Sequence, residues 1–154
     1  MKKHRISAGA IVIDDDKILL VRHCLKGRYD FWVAPGGGVL DEEDIYSAAS
    51  REVKEETGLI VKPVKPIYLE QFYQPTTHHL KTWILCSLNG GDLCVEAPEA
   101  TREHIVEVKF FSQAEVVLEK RPIFPELICH DFWEDYSQDF LEFRFLGIRE
   151  MEFY

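Results

Sequence analysis

The stretch from Gly37 to Leu59 constrains this chain more than any other, because it specifies a helix, its two ends and an unusual charge pattern together. Asp44 is placed to cap the helix, and Ile45, Ala48, Ala49 and Val53 recur at the three- and four-residue spacing of a buried stripe. Gly58 supplies the stop, since glycine enters the left-handed conformation at least cost. The spacing therefore predicts a helix over Ile45 to Thr57. Glu52, Glu55 and Glu56 fall in its last two turns. There the macrodipole is negative and disfavours each carboxylate by about 0.3–1 kcal/mol. Glu52 also lies one turn from both Glu55 and Glu56, so like charges repel. Arg51 can pair with Glu55, but one guanidinium cannot neutralise three carboxylates. A hard divalent cation such as Mg2+ can, using a few carboxylate oxygens and completing its shell with water and phosphate oxygens. A solvated acidic face is the alternative that helix chemistry alone leaves open.

The wider spacing decides between them. Gly37, Glu43, Arg51, Glu52, Val53, Glu55, Glu56, Gly58 and Leu59 fit G-x5-E-x7-R-E-U-x-E-E-x-G-U, with U a bulky aliphatic, without a mismatch. This resembles the Nudix box, the signature of the Nudix hydrolases. The resemblance implies an α/β class chain, an α/β/α sandwich with a mixed sheet, and Mg2+-dependent hydrolysis of a phosphoanhydride in a nucleoside diphosphate linked to another group, with Mn2+ a substitute metal. It makes Glu55 and Glu56 the main metal ligands and gives Glu52 a ligand or water-deprotonating role. Arg51 then holds that glutamate, Glu43 is a supporting or additional metal carboxylate, and the carbonyl of Gly36 is a further ligand. The resemblance also implies a carboxylate outside the box between Glu96 and Glu107, for which Glu103 and Glu107 are the candidates with Glu99 behind them. Leu40 and Glu42 depart from the Glu and Gly that many members carry, which bears on the shape of that loop.

At 154 residues the chain suits one domain, residues 1–154, with a substantial core. The formal charge is −9, and the seven acids against two bases between Asp41 and Glu56 carry more than half of it. Such a chain repels polyphosphates at range, so a phosphate substrate needs a metal or local bases, and duplex nucleic acid is not an expected partner. No run is apolar and long enough to span a membrane, and Met1 to Arg5 is not followed by an uninterrupted signal-peptide core. The expectation is a soluble, cytoplasmic protein. Cys24, Cys86, Cys94 and Cys129 show no metal spacing and read as free thiols.

Along the chain, Ile6 to Ile13 and Lys17 to Val21 read as a hairpin about Asp14, Asp15 and Asp16, a polar turn rather than a metal site. Arg22 to Asp30 reads as a basic loop, either simply solvated or contacting phosphate through Arg22, Lys26 or Arg28, and Trp32 as core. Pro35 to Gly38 brings backbone close to another group. Leu59 to Tyr73 is a long strand, with Pro63 and Pro66 marking an edge or a bend. Leu80 to Leu88 is another, and Asn89 to Asp92 signals a hairpin turn after it. Pro98 to Glu103 reads as a polar loop, Ile105 to Phe111 as a strand, Ser112 as the cap of a helix to about Lys120, and Pro125 as the opening of a helix through about Tyr136. Phe140 to Tyr154 forms a strand or an arm.

Substrate cues are few. Pro75, sixteen residues after Leu59, has a spacing associated in the Nudix family with ADP-ribose pyrophosphatases, and Tyr73 sits near the position linked with dinucleoside polyphosphates. The expected partner is a small nucleotide, with ADP-ribose or a nucleotide-sugar favoured over nucleoside triphosphates, dinucleoside polyphosphates and capped RNA. Adjacent strand residues point to opposite faces, so at most one of His78 and His79 reaches substrate. A Nudix-fold module that senses a nucleotide without cleaving it is the competing function, disfavoured because Glu52, Glu55 and Glu56 are all kept. The aromatic residues Phe132, Trp133, Tyr136, Phe140, Phe143, Phe145, Phe153 and Tyr154 suggest a homodimer surface where they are exposed.

Overall fold

The computed structural model describes residues 1–95 and 97–151, so Glu96, Phe153 and Tyr154 lie outside the described residues. Strands β1 (Lys3–Asp14) and β2 (Lys17–Leu25) form the expected hairpin. Asp15 and Asp16 take φ of 50° and 57°, the paired left-handed geometry of a two-residue turn. The stretch expected to be a basic loop is instead a second hairpin: β2 runs on to Leu25, turns at Gly27, and pairs with β3 (Tyr29–Val33). What makes it a hairpin is the diagonal ion pair from Arg22 to Asp30 at 2.7 Å, which ties one strand to the other.

After β4 (Gly36–Gly38), helix α1 (Ile45–Thr57) has the predicted bounds, with the Asp44 carboxylate accepting from the Ser47 amide at 2.7 Å and Gly58 at φ 78°. Strands β5 (Leu59–Tyr73) and β6 (Thr77–Gly91) follow as a long hairpin, with register shifts around Pro63 and Pro66. The turn expected at Asn89 to Asp92 does not form a hairpin. Strand β6 continues through it to pair Gly90 with Ile60 and Gly91 with Leu59. A side chain at Gly91 would stand 2.9 Å from Leu59 Cα, so glycine here serves close strand approach rather than reversal. The expected loop at Pro98 to Glu103 contains a short helix, α2 (Pro98–Arg102), with proline in its first turn and Ala100 buried beneath it.

Strand β7 (Ile105–Phe111) pairs with β2, and helix α3 (Gln113–Leu118) starts from a reciprocal capping box between Ser112 and Glu115. Strand β8 (Ile123–Phe124) joins β3. The single helix expected from Pro125 is broken into a 3-10 turn (Glu126–Cys129) and α4 (Phe132–Ser137), and β9 (Arg144–Glu150) ends the described chain.

The sheet runs β8-β3-β2-β1-β6-β5-β9, mixed because β1–β6, β5–β9 and β3–β8 are parallel and the other pairs antiparallel. β1 and β2 pair only at Ile13–Ile18 and Asp14–Lys17, beside their turn. Beyond that they separate, and β4 takes the free side of β1 while β7 takes that of β2. Each face carries its own core. Ala8, Ala10 and Val12 of β1 meet Ala48, Ala49 and Val53 of α1, where small side chains let the helix sit close to the sheet. On the opposite face Ile11, Trp32, Tyr68 and Trp83 pack with Val116 of α3 and Phe132 of α4. The expected sandwich is therefore present. Phe132 and Phe140 are buried in it and Trp133 and Tyr136 pack against it, so these four do not form a free dimer surface. Among the described residues no helix is long and apolar enough to cross a membrane.

Candidate active site

Arg51 organises the acidic end of α1. Its guanidinium donates five hydrogen bonds: Nε and Nη2 to Glu43 at 2.8 and 3.0 Å, Nη1 to Glu52 at 2.9 Å and Glu55 at 3.1 Å, and Nη2 to the carbonyl of Gly38 at 3.0 Å. Five is the full donor capacity of arginine. Glu43 uses both oxygens, one of them also accepting from the Leu40 amide at 3.0 Å, so it clamps Arg51 and closes the loop ahead of the helix. Arg51 holds the Glu43 carboxyl below its ordinary range.

Glu52 and Glu56 behave differently. Glu56 is 3% exposed, its Oε2 has no hydrogen-bond partner, and burial followed by the Glu52 charge pushes its pKa well up. Burial also raises Glu52, against the pull of Arg51, and the Glu52 charge acts on Glu56 one turn away. A divalent cation would offset these crowded charges and occupy the orphaned oxygen, so the donor set fits a metal. Among the described residues no three His, Cys, Asp or Glu side chains form a ready-made cage. Arg51 stands among three of the glutamates, and Mg2+ draws much of its shell from water and substrate phosphate.

The glycine strand explains how backbone reaches these groups. A Cβ on Gly37 would lie 2.5 Å from Glu52 Oε1, and one on Gly36 would lie 2.6 Å from the Ala8 carbonyl and 3.2 Å from Lys81 Nζ. β4 thus fits between the helix carboxylates on one side and a cleft on the other. That cleft, about 280 Å³, is lined by Arg5, Ser7, His23, the three glycines, Phe72, Gln74, His79, Lys81, Glu103 and Met151. Through Phe72, Lys81 and Met151 it continues into an aromatic slot of Phe31, Trp83 and Phe124, with Glu70 and Arg149 beside it. Glu70 accepts from Trp83 Nε1 at 3.1 Å and lies 3.7 Å from Arg149 Nε. Arg149 stacks over Phe72 and Phe124, 5.3 and 5.0 Å from the ring centres.

The NUDIX domain family model matches residues 3–131. The chain belongs to the Nudix family. Nudix hydrolase 2 of Arabidopsis thaliana is 32% identical over 103 residues, which cover 65% of this chain and 37% of that protein. ADP-ribose pyrophosphatase of Methanocaldococcus jannaschii is 32% identical over 101 residues, 60% of each chain. The chain thus spans less than two thirds of the length of either curated relative. Among solved structures, a NUDIX hydrolase from Nitrosomonas europaea matches with a TM-score of 0.72 at 25% identity, covering 92% of this chain and 98% of that one. A UDP-X diphosphatase matches with a TM-score of 0.69 at 19% identity, covering 96% and 68%. That second likeness concerns the fold.

Around the Nudix box the sequence expectations divide. Glu103, at the end of α2, lines the cleft and lies close enough to Glu56 to raise its pKa. Glu107 does not reach the cleft. It pairs with Arg22 at 3.3 Å on strand faces turned away, and Arg22 is bound more tightly to Asp30, whose pKa it helps pull down to about 2. Arg28 is exposed in the β2–β3 turn, Glu99 is half-buried in α2, and Pro75 is exposed in the β5–β6 turn. Tyr73 ends β5 beneath the Lys2 ammonium, 4.3 Å from the ring centre. Of the two histidines, His79 faces the cleft and stacks on Phe72, while His78 faces the opposite surface against His4. Sequence reasoning missed His23 and Lys81. A lysine and a glutamate inside two buried strands, Lys81 and Glu70, were the available signal.

Proposed function

We propose that this Nudix chain hydrolyses a phosphoanhydride bond in a nucleoside diphosphate linked to another moiety, using Mg2+ or, in its place, Mn2+. The observation that carries the reading is the Glu52–Glu56 pair beside the glycine strand, in which Glu56 is buried with its Oε2 unpartnered. Glu52, Glu55 and Glu56, with the Gly36 carbonyl, would hold the cation. When bound, that cation supplies charge neutralisation of the phosphate oxygens and acidifies the attacking water. Arg51 fixes the orientation of Glu52 and Glu55 while Glu43 fixes Arg51. Glu103 stands across the cleft as the carboxylate able to take a proton, a role for which Glu107 is misplaced. The aromatic slot offers flat apolar faces for a nucleobase and shares Phe72, Lys81 and Met151 with the cleft beside β4.

ADP-ribose or a nucleotide-sugar is the favoured substrate class, supported by the pyrophosphatase name of the archaeal relative and by the spacing of Pro75 from the Nudix box. Product identification by mass across a panel of nucleoside diphosphate derivatives with Mg2+ tests this. Glu56→Gln should lower turnover at least about 100-fold with the fold kept, as expected when the charge that positions a catalytic cation is removed. Unchanged turnover in that variant would sink the reading. A homodimer would form through Phe143, Phe145 and Ile148 at and beside the β9 edge, which are 54%, 59% and 57% exposed.

A further inference from the structure

Lys81 stands inside β6, opposite Ser7 of β1 and Glu70 of β5. It is only 9% exposed, and its side chain lines both the glycine cleft and the aromatic slot. The ammonium lies 4.1 Å above the Trp83 ring and close to the Gly36 backbone. Among the described residues it makes no hydrogen bond and no ion pair. Its cross-strand neighbour Glu70 is the obvious counter-ion, but one Glu70 oxygen accepts from Trp83 and the other faces Arg149. Its donors are unused within the described protein and open to the cleft, so an acceptor arriving from outside can take them.

The cleft narrows the choice of acceptor. Glu103 lines it and the Glu52–Glu56 pair stands across the glycine strand, so an anionic guest needs compensating cations. Arg5 is exposed and solvated, whereas Lys81 is mostly withdrawn from water and gives up less on binding. We infer that Lys81 is a substrate-binding residue whose ammonium donates to a non-bridging oxygen of the substrate diphosphate, at the point where it passes from the box carboxylates to the aromatic slot. This rests on the pyrophosphohydrolase reading above. It adds a protein cation that grips the substrate independently of the metal. A charged donor in a dry site is a strong one.

The test is binding of methylenediphosphonate, whose P–C–P bridge cannot be hydrolysed, to the intact chain in saturating Mg2+. Calorimetry would compare wild type with Lys81→Met and Lys81→Gln, and Mg2+ affinity would be measured separately for each. Both variants should bind the diphosphonate about 10- to 100-fold more weakly, as for loss of a hydrogen bond to a charged group, with Mg2+ affinity within about two-fold. Lys81→Gln keeps a polar group of similar length and covers failure of the methionine variant to fold. Wild-type affinity in a folded variant, a loss only in step with Mg2+, or no binding by the wild type would overturn the inference. Because the probe is not cleaved, a chain that binds it through Lys81 but hydrolyses nothing would remove the proposed activity and leave this contact standing.

Discussion

Arg51 is the residue on which the box geometry turns, and its shape matters as much as its charge. Lysine at this position would keep a cation but could not bridge Glu43, Glu52, Glu55 and Gly38 at once. Arg51→Lys should cost about 1–3 kcal/mol, read as a lowered urea midpoint, and should lower activity without abolishing metal binding. His23 gives a pH-dependent prediction. Its ring, stacked on Phe31, is pushed down from 6.5 to about 4, first by burial and then by the Lys81 and His104 charges. Between those values the unfolded chain holds a proton that the folded chain lacks. Stability should therefore fall as pH drops from about 6.5 towards 4, by roughly 3 kcal/mol for this group. His23→Gln should flatten that part of the profile, and equal losses in both proteins between pH 7 and pH 4.5 would contradict it.

At the scale of elements, α1 shows why some of the molecule was legible and some was not. Its start, stop and buried stripe depend on local chemistry at Asp44, Ala48, Ala49, Val53 and Gly58, and all were readable from spacing. β7 and the Ser112 cap were readable for the same reason. Asn89 to Asp92 was misleading because its glycines answer to a partner strand thirty residues away in sequence. The site followed the same division. The helix carboxylates came from a local pattern, while Lys81, His23 and His79 come together only once β1, β2 and β6 are paired. The sorting of Glu103 from Glu107 likewise depended on the short α2, which carries one to the cleft and leaves the other on β7. Gly58→Ala tests the helix stop. The left-handed φ and the close approach of the Asp92 carbonyl to the added Cβ should cost at least about 1–2 kcal/mol in thermal or urea unfolding.

Across the whole molecule, the two faces of the sheet are closed by helices, and the unpaired side of β9 is an open edge. If copies associate through it, Phe145→Lys should shift the species seen by light scattering from dimer to monomer while leaving turnover in place. The parting of β1 from β2 has a separate consequence. β4 is bonded to β1 alone among the described strands, whereas β1, β2 and β6 are each paired on both sides. The seam can therefore breathe while the cores on either side stay shut. In hydrogen exchange, amides of the glycine strand should open ahead of the rest of the sheet and slow when a cation and nucleotide bridge it to α1. The ligand would then act as a staple across a join that a single strand secures.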